Sequence, residues 1–106
     1  MPWRVERSEL FLRRALVEFP LGGGIEGRPS FELFEEFLLT KVERVLSEHF
    51  EAQMEAVAGV RFVMTHGVPF VPACVIYAAR VGDHVELLDI IVDWDYWETI
   101  GDDPGE

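Results

Sequence analysis

The sequence predicts an α+β domain made of an N-terminal strand, two helices and a three-stranded antiparallel meander. Three observations carry this. Residues 60–65, 70–80 and 84–93 are extended apolar runs, separated by the turn-forming His66-Gly67-Val68-Pro69 and Val81-Gly82-Asp83. Two long stretches of helical hydrophobic period come before them. At the start, Trp3-Arg4-Val5-Glu6-Arg7 alternates apolar and charged residues, which suits a short strand with one buried face.

Taken in order, Ser8 is placed to cap the first helix, with Glu9 favourable in its first turn. Leu10, Phe11, Ala15, Leu16 and Phe19 form its apolar stripe, and Pro20 ends it. Residues 21–29 form a glycine-rich loop. Ser30 opens a second helix whose stripe runs through Phe34, Phe37, Leu38, Val42, Val45, Leu46, Phe50, Met54 and Val57. That spacing predicts about seven turns, with a bend near Glu48-His49 and a stop at Gly59. In the last strand Leu88, Ile90 and Val92 point one way, while Val85, Leu87 and Ile91 point the other. Both faces are apolar, so a central strand covered on both sides is expected. Residues 94–100 are expected as a last short helix or a return strand. Residues 1–100 read as one domain and residues 101–106 as an acidic, frayed tail.

Composition sets the classes to exclude. The 106 residues suffice for one core, and 49% hydrophobic content argues against disorder. No apolar run reaches the roughly 18 residues of a membrane span, and residues 1–6 hold no apolar signal core. A cytoplasmic location without membrane contact is expected. Net charge is −11, and residues 81–106 contribute nine acids and no base. Nucleic-acid binding relies on neutralising phosphates, so it is not expected of this chain. Cys74 is the only cysteine and reads as a buried, inert thiol.

No cofactor is expected. The residues from Gly22 to Gly27 match G-x-G-x-x-G, but a dinucleotide site needs a βαβ unit around such glycines, and a loop between helices explains them. His49, His66 and His84 show no metal-ligand spacing; a site with Asp93 and Asp95 is drawable but not required, so histidines in surface turns and no metal are expected. No G-x-S-x-G is present, and Cys74 lacks a neighbouring cation, so nucleophilic catalysis has no support. Trp94, Tyr96 and Trp97 stand out beside acids. They either close the domain's own core or, with Asp93 and Asp95, form a partner-binding surface.

The element order is similar to that of the RelE/ParE superfamily of toxin–antitoxin toxins. The resemblance covers Trp3 to about Asp93 and is best in three pieces. These are Gly59-Val60-Arg61-Phe62-Val63, then Val75-Ile76-Tyr77, then the run from Val81 to Ile90. It implies that Arg61 and Tyr77 correspond to catalytic positions of the family's ribosome-dependent mRNA endonucleases, in which basic residues stabilise developing charge. It also implies that the leucine- and isoleucine-rich last strand lies inside the sheet and does not run beside the first strand in the same direction. The expected supporting cations are replaced by Ala73 and Cys74 and by Asp93-Trp94-Asp95, and carboxylates there would repel phosphate. The resemblance therefore implies a toxin-fold protein acting through protein binding, with an antitoxin-like or target protein as partner, rather than RNA cleavage. A homodimer is compatible with it. The alternative is an acidic interaction or inhibitor protein, immunity- or antitoxin-like, that meets a basic partner.

Overall fold

A computed structural model describes residues 2–23, 28–66 and 71–95. Strand β1 (Arg4–Arg7) leads into helix α1 (Glu9–Glu18), where the Ser8 hydroxyl accepts from the Phe11 amide at 3.0 Å. Ser30 caps helix α2 (Phe31–Phe34) in the same way. A π-helical turn (Glu35–Leu39) then leads directly into α3 (Thr40–His49), followed by a 3₁₀ turn (Phe50–Ala52). Four strands complete the fold: β2 (Met54–Val57), β3 (Val60–Met64), β4 (Cys74–Val81) and β5 (His84–Val92).

The five strands form one mixed sheet in the order β1-β5-β4-β3-β2. The strands from β2 to β5 pair antiparallel with their neighbours, whereas β1 pairs parallel to β5. The meander therefore has four strands where three were expected. Met54 and Val57, expected at the end of a helix, belong to an exposed edge strand. Phe50, Met54 and Val57 have helical spacing, but Gly59, at φ +82°, turns the chain into a hairpin instead of capping a helix. The last strand is interior, as expected. It runs beside β1 in the same direction, which the toxin-fold resemblance was expected not to allow.

Helices and sheet enclose one core. Phe11, Ala15 and Phe19 of α1 and its cap, and Phe31, Phe34, Leu38, Leu39, Val42, Leu46 and Phe50 of the second helical rod, meet Cys74, Ile76, Ala78, Val85, Leu87 and Ile90. Phe19 stacks on Phe34 with centroids 4.4 Å apart. Burying each such ring stabilises the fold by about 1.5–3 kcal/mol.

Two local irregularities fit the chain to this core. Between Tyr77↔Asp89 and Ala78↔Leu87 the register slips by one, leaving Leu88 as an extra residue in β5. This bulge lets Leu87 and Ile90, three residues apart, both reach the core. The predicted alternation of Leu88, Ile90 and Val92 against Val85, Leu87 and Ile91 is thus corrected. The π turn acts similarly on the helical side. On an unbroken α-helix Glu35 and Glu43 would lie about 80° apart; one inserted residue reduces this to roughly 20°. Both carboxylates then meet Arg7, at 2.6 Å from Glu35 and 2.7 Å from Glu43.

Candidate functional site

The helices pack on one side of the sheet, and strand register identifies what the other side carries. Ile76, Ala78 and Cys74 are buried in alternation with half-buried Val75, Tyr77 and Ala79. Through pairing, Val60, Phe62 and Met64 share the face of Ala79, Tyr77 and Val75, and Met54 and Val57 share that of Phe62 and Val60. Ile91 pairs with Val75. Phe62 and Tyr77 form a cross-strand aromatic pair with centroids 6.2 Å apart.

Among the described residues no helix covers this outer face. Met54 and Met64 are both 69% exposed, Val57 64% and Ile91 56%. Four strands of about five residues span roughly 300 Å² in projection, with the apolar part on β2, β3, β4 and Ile91. A patch of that order is comparable to the largest on an ordinary monomer, and such patches are often functional. The expectation of a last strand apolar and covered on both faces is therefore corrected: this chain's helices cover one side, and the other carries His84, Glu86 and Asp89 beside the exposed Ile91. At one end the face runs into a cavity of about 400 Å³ lined by Met64, Thr65, Cys74, Val75, Ile91 and Asp93 among others.

Strand β2 is the outermost strand on its side, yet it is a poor template for adding another strand. It has four residues, an irregular register between Glu55 and Val57, and the charge of Glu55, all features that blunt sheet edges. At the other border, the Trp3 amide donates to the Ser47 carbonyl at 2.7 Å and the Ser47 hydroxyl donates to the Trp3 carbonyl at 2.8 Å, joining the entry of β1 to α3. The sheet therefore offers its face rather than its edges.

The two candidate catalytic residues do not converge. Arg61 pairs with Ala78 and lies on the helix side, while Tyr77 pairs with Phe62 on the outer side. The Arg61 guanidinium donates to the Gln53 carbonyl at 2.5 Å and sits 5.6 Å from the Phe50 ring. That placement ties the end of the helical rod to β3. Tyr77 is an element of the apolar face.

Trp94 turns inward. Its ring lies 5.4 Å from Phe19, its indole N–H donates to Glu18 at 2.6 Å, and the Arg28 guanidinium lies 4.2 Å from its centroid. It closes the core where a partner-binding role was the other expectation. Asp93 and Asp95 are exposed, with Asp93 at the cavity rim. Tyr96, Trp97 and the acidic tail lie outside the described residues, as do residues 24–27 of the glycine motif and residues 67–70. Burial pushes the Cys74 thiol up to about 12, so it is inert as a nucleophile.

His84 departs most from expectation. It is no surface-turn residue: its side chain is 15% exposed and lies on β5 between Glu6 and Glu86. Neither Glu6 nor Glu86 stood out in the sequence. Only the pairing of β1 with β5 joins them, placing Glu6 directly opposite Glu86. No protein-family model, no curated protein and no solved structure matches this chain.

Proposed function

We propose that this protein is a protein-interaction domain that binds a partner segment rich in apolar and basic residues across the outer face of its sheet. One observation carries the reading: the outer faces of β2, β3 and β4, with Ile91 at the end of β5, are apolar, but the chain's own helices cover only the opposite side of the sheet. His84, Glu86 and Asp89 make the rest of the outer face of β5 polar. Leaving Met54, Val57, Met64 and Ile91 in water forgoes about 25 cal/mol for each Å² that a partner would cover. The chemistry of that partner follows from charge. A second copy would bring another −11 against the first, whereas a basic segment gains in encounter rate and specificity.

Binding of this kind is common to the toxin-fold reading and to the acidic interaction or inhibitor reading. The separation of Arg61 from Tyr77 favours the binding role over an mRNA endonuclease. The parallel β1–β5 pair leaves the toxin-fold resemblance resting on its local strand patterns, so the partner is defined here by its chemistry and not as an antitoxin.

The test is affinity capture from lysate at low salt with the intact protein, with Phe62→Asp and Met64→Asp variants and with the helix-side control Glu36→Gln. The expected partner is basic, is lost with both face variants, is retained by the control, and shifts the amide resonances of Val60, Phe62, Tyr77 and Ile91. A partner insensitive to Phe62→Asp, or one that shifts helical resonances alone, overturns the proposal. So does concentration-dependent self-association through this face. Deleting residues 96–106 is the remaining arm: shifts of the Phe62 and Tyr77 resonances in the free protein would make the chain's own tail the occupant.

A further inference from the structure

We propose that Glu6, His84 and Glu86 form a binding site for a first-row divalent cation of the zinc type, which joins β1 to β5. The parallel register sets Glu6 directly opposite Glu86, and His84 precedes Glu86 by two residues, so all three share one face. Like charges opposite each other on neighbouring strands repel, and this pair is not separated by any ladder position. The His84 Nε2 atom lies 3.7 Å from the Glu6 Oε1 and 3.7 Å from the Glu86 Oε2. The ligand atoms all fall within 4.8 Å of one another.

These separations are too long for hydrogen bonds. Both ring nitrogens of His84 are shielded from solvent and have no hydrogen-bond partner, an arrangement that native proteins rarely leave without an ion or water. Zinc at about 2.0–2.2 Å from each ligand needs the donor atoms roughly 3.3–3.6 Å apart. A closure of a few tenths of an ångström brings each carboxylate to that separation from His84, and the two carboxylates, within 4.8 Å of one another, approach by rotation of the Glu6 and Glu86 side chains.

The surroundings suit the same ion. Asp83 Oδ1 lies 3.5 Å from the His84 Nδ1 without a hydrogen bond, close enough that a small rotation of its exposed side chain would let it accept from Nδ1 and orient a ligating imidazole. Arg4 donates through Nε to the Glu6 Oε2 at 2.7 Å, which leaves Oε1 for the cation. Arg4 also reaches Asp83 at 3.4 Å. With His84 neutral, three carboxylates and one guanidinium leave a local charge of −2, matching a divalent ion. One imidazole with two carboxylates favours zinc, manganese or iron over calcium and magnesium, which prefer all-oxygen sites. Remaining coordination positions fall on the exposed side of Glu6 and would be taken by water.

The experiment is titration of the chelator-treated, full-length protein with zinc by calorimetry, followed by NMR of the His84 ring nitrogens. One equivalent should bind, the His84 ring resonances should move, and Glu6→Gln and Glu86→Gln should each weaken binding at least tenfold. Glu6 is exposed, so its variant reads the site without disturbing the core. Glu36→Gln/Glu48→Gln, which removes two distant helical acids, should leave affinity within twofold. Absence of one-to-one binding, or binding that survives both Glu6→Gln and Glu86→Gln, would overturn the site and reduce zinc to a counterion of an acidic surface.

Discussion

Replacing Arg7 with Met tests the account of how the helical rod is fastened to β1. The guanidinium is fixed by Glu43 through Nε at 2.7 Å and Nη2 at 3.1 Å, and by Glu35 through Nη1 at 2.6 Å. Removing one member of a fully buried ion pair costs about 3–5 kcal/mol, because a charge is left without its partner. Here the Arg7, Glu35 and Glu43 side chains are 24%, 39% and 20% exposed, so water takes up part of that loss. About 2 kcal/mol remains. For a domain of this size that lowers the Tm by about 10 °C. Urea unfolding of Arg7→Met, Glu43→Gln and the double variant should return a coupling of at least about 1 kcal/mol. The hydrogen bond to Glu43 is the main cause that holds the Arg7 guanidinium above its ordinary value. A group raised on folding contributes its stability in full below the unfolded value and loses it as pH rises from there through the folded one. The difference between wild type and Arg7→Met should therefore stay flat from about pH 7 to about pH 10. A loss below about 0.5 kcal/mol, or no coupling to Glu43, would refute the idea that the π turn brings two carboxylates onto one arginine.

Cys74 has the same sign in a lower pH window. Its thiol is raised by burial from 9.0 to about 12, so above about pH 9 the unfolded chain loses the proton first. Stability should fall with a contribution of up to about 1.4 kcal/mol per pH unit between about pH 9 and pH 12. Unfolding curves of Cys74→Ala should lack that part of the slope, and equal slopes would contradict the burial argument. Trp94→Ala should lose about 2 kcal/mol in urea unfolding, less than a fully buried aromatic because the ring is half-buried. A loss under about 0.5 kcal/mol would remove Trp94 from the core.

Much of the fold is readable from local chemistry, and the exceptions have identifiable causes. The Ser8 and Ser30 caps, the buried stripe through Phe34, Leu38, Val42, Leu46 and Phe50 and the Val81-Gly82-Asp83 turn appear where their sequence signals place them. Val45, by contrast, is exposed, and Leu39, outside the expected stripe, is buried. The error at Met54 and Val57 arises because spacings of four and three fit a helix, while Ala58-Gly59 suits either a helix end or a hairpin. Only pairing with Val60 and Phe62 decides between them. The π turn is silent for a similar reason: Phe37, Leu38 and Leu39 are all apolar, so an inserted residue does not interrupt the stripe. The Leu88 bulge is equally hidden, since leucine fits either face.

The candidate site residues are harder to read because their grouping depends on pairing across the sheet. Glu6 and Glu86 belong to opposite ends of the chain and meet through a parallel register that no spacing rule anticipates. Arg61 matched a family position, yet one residue of strand phase separates it from the face that holds Tyr77. The apolar outer face shows the deepest ambiguity. A strand with Val75, Tyr77 and Ala79 opposite Cys74, Ile76 and Ala78 reads as two-sided core, because sequence reports only that both faces favour burial. It does not report whose atoms will bury them. For β3, β4 and the Ile91 end of β5 the described helices account for one side, and the apolar area left on the other is what the proposed partner would cover.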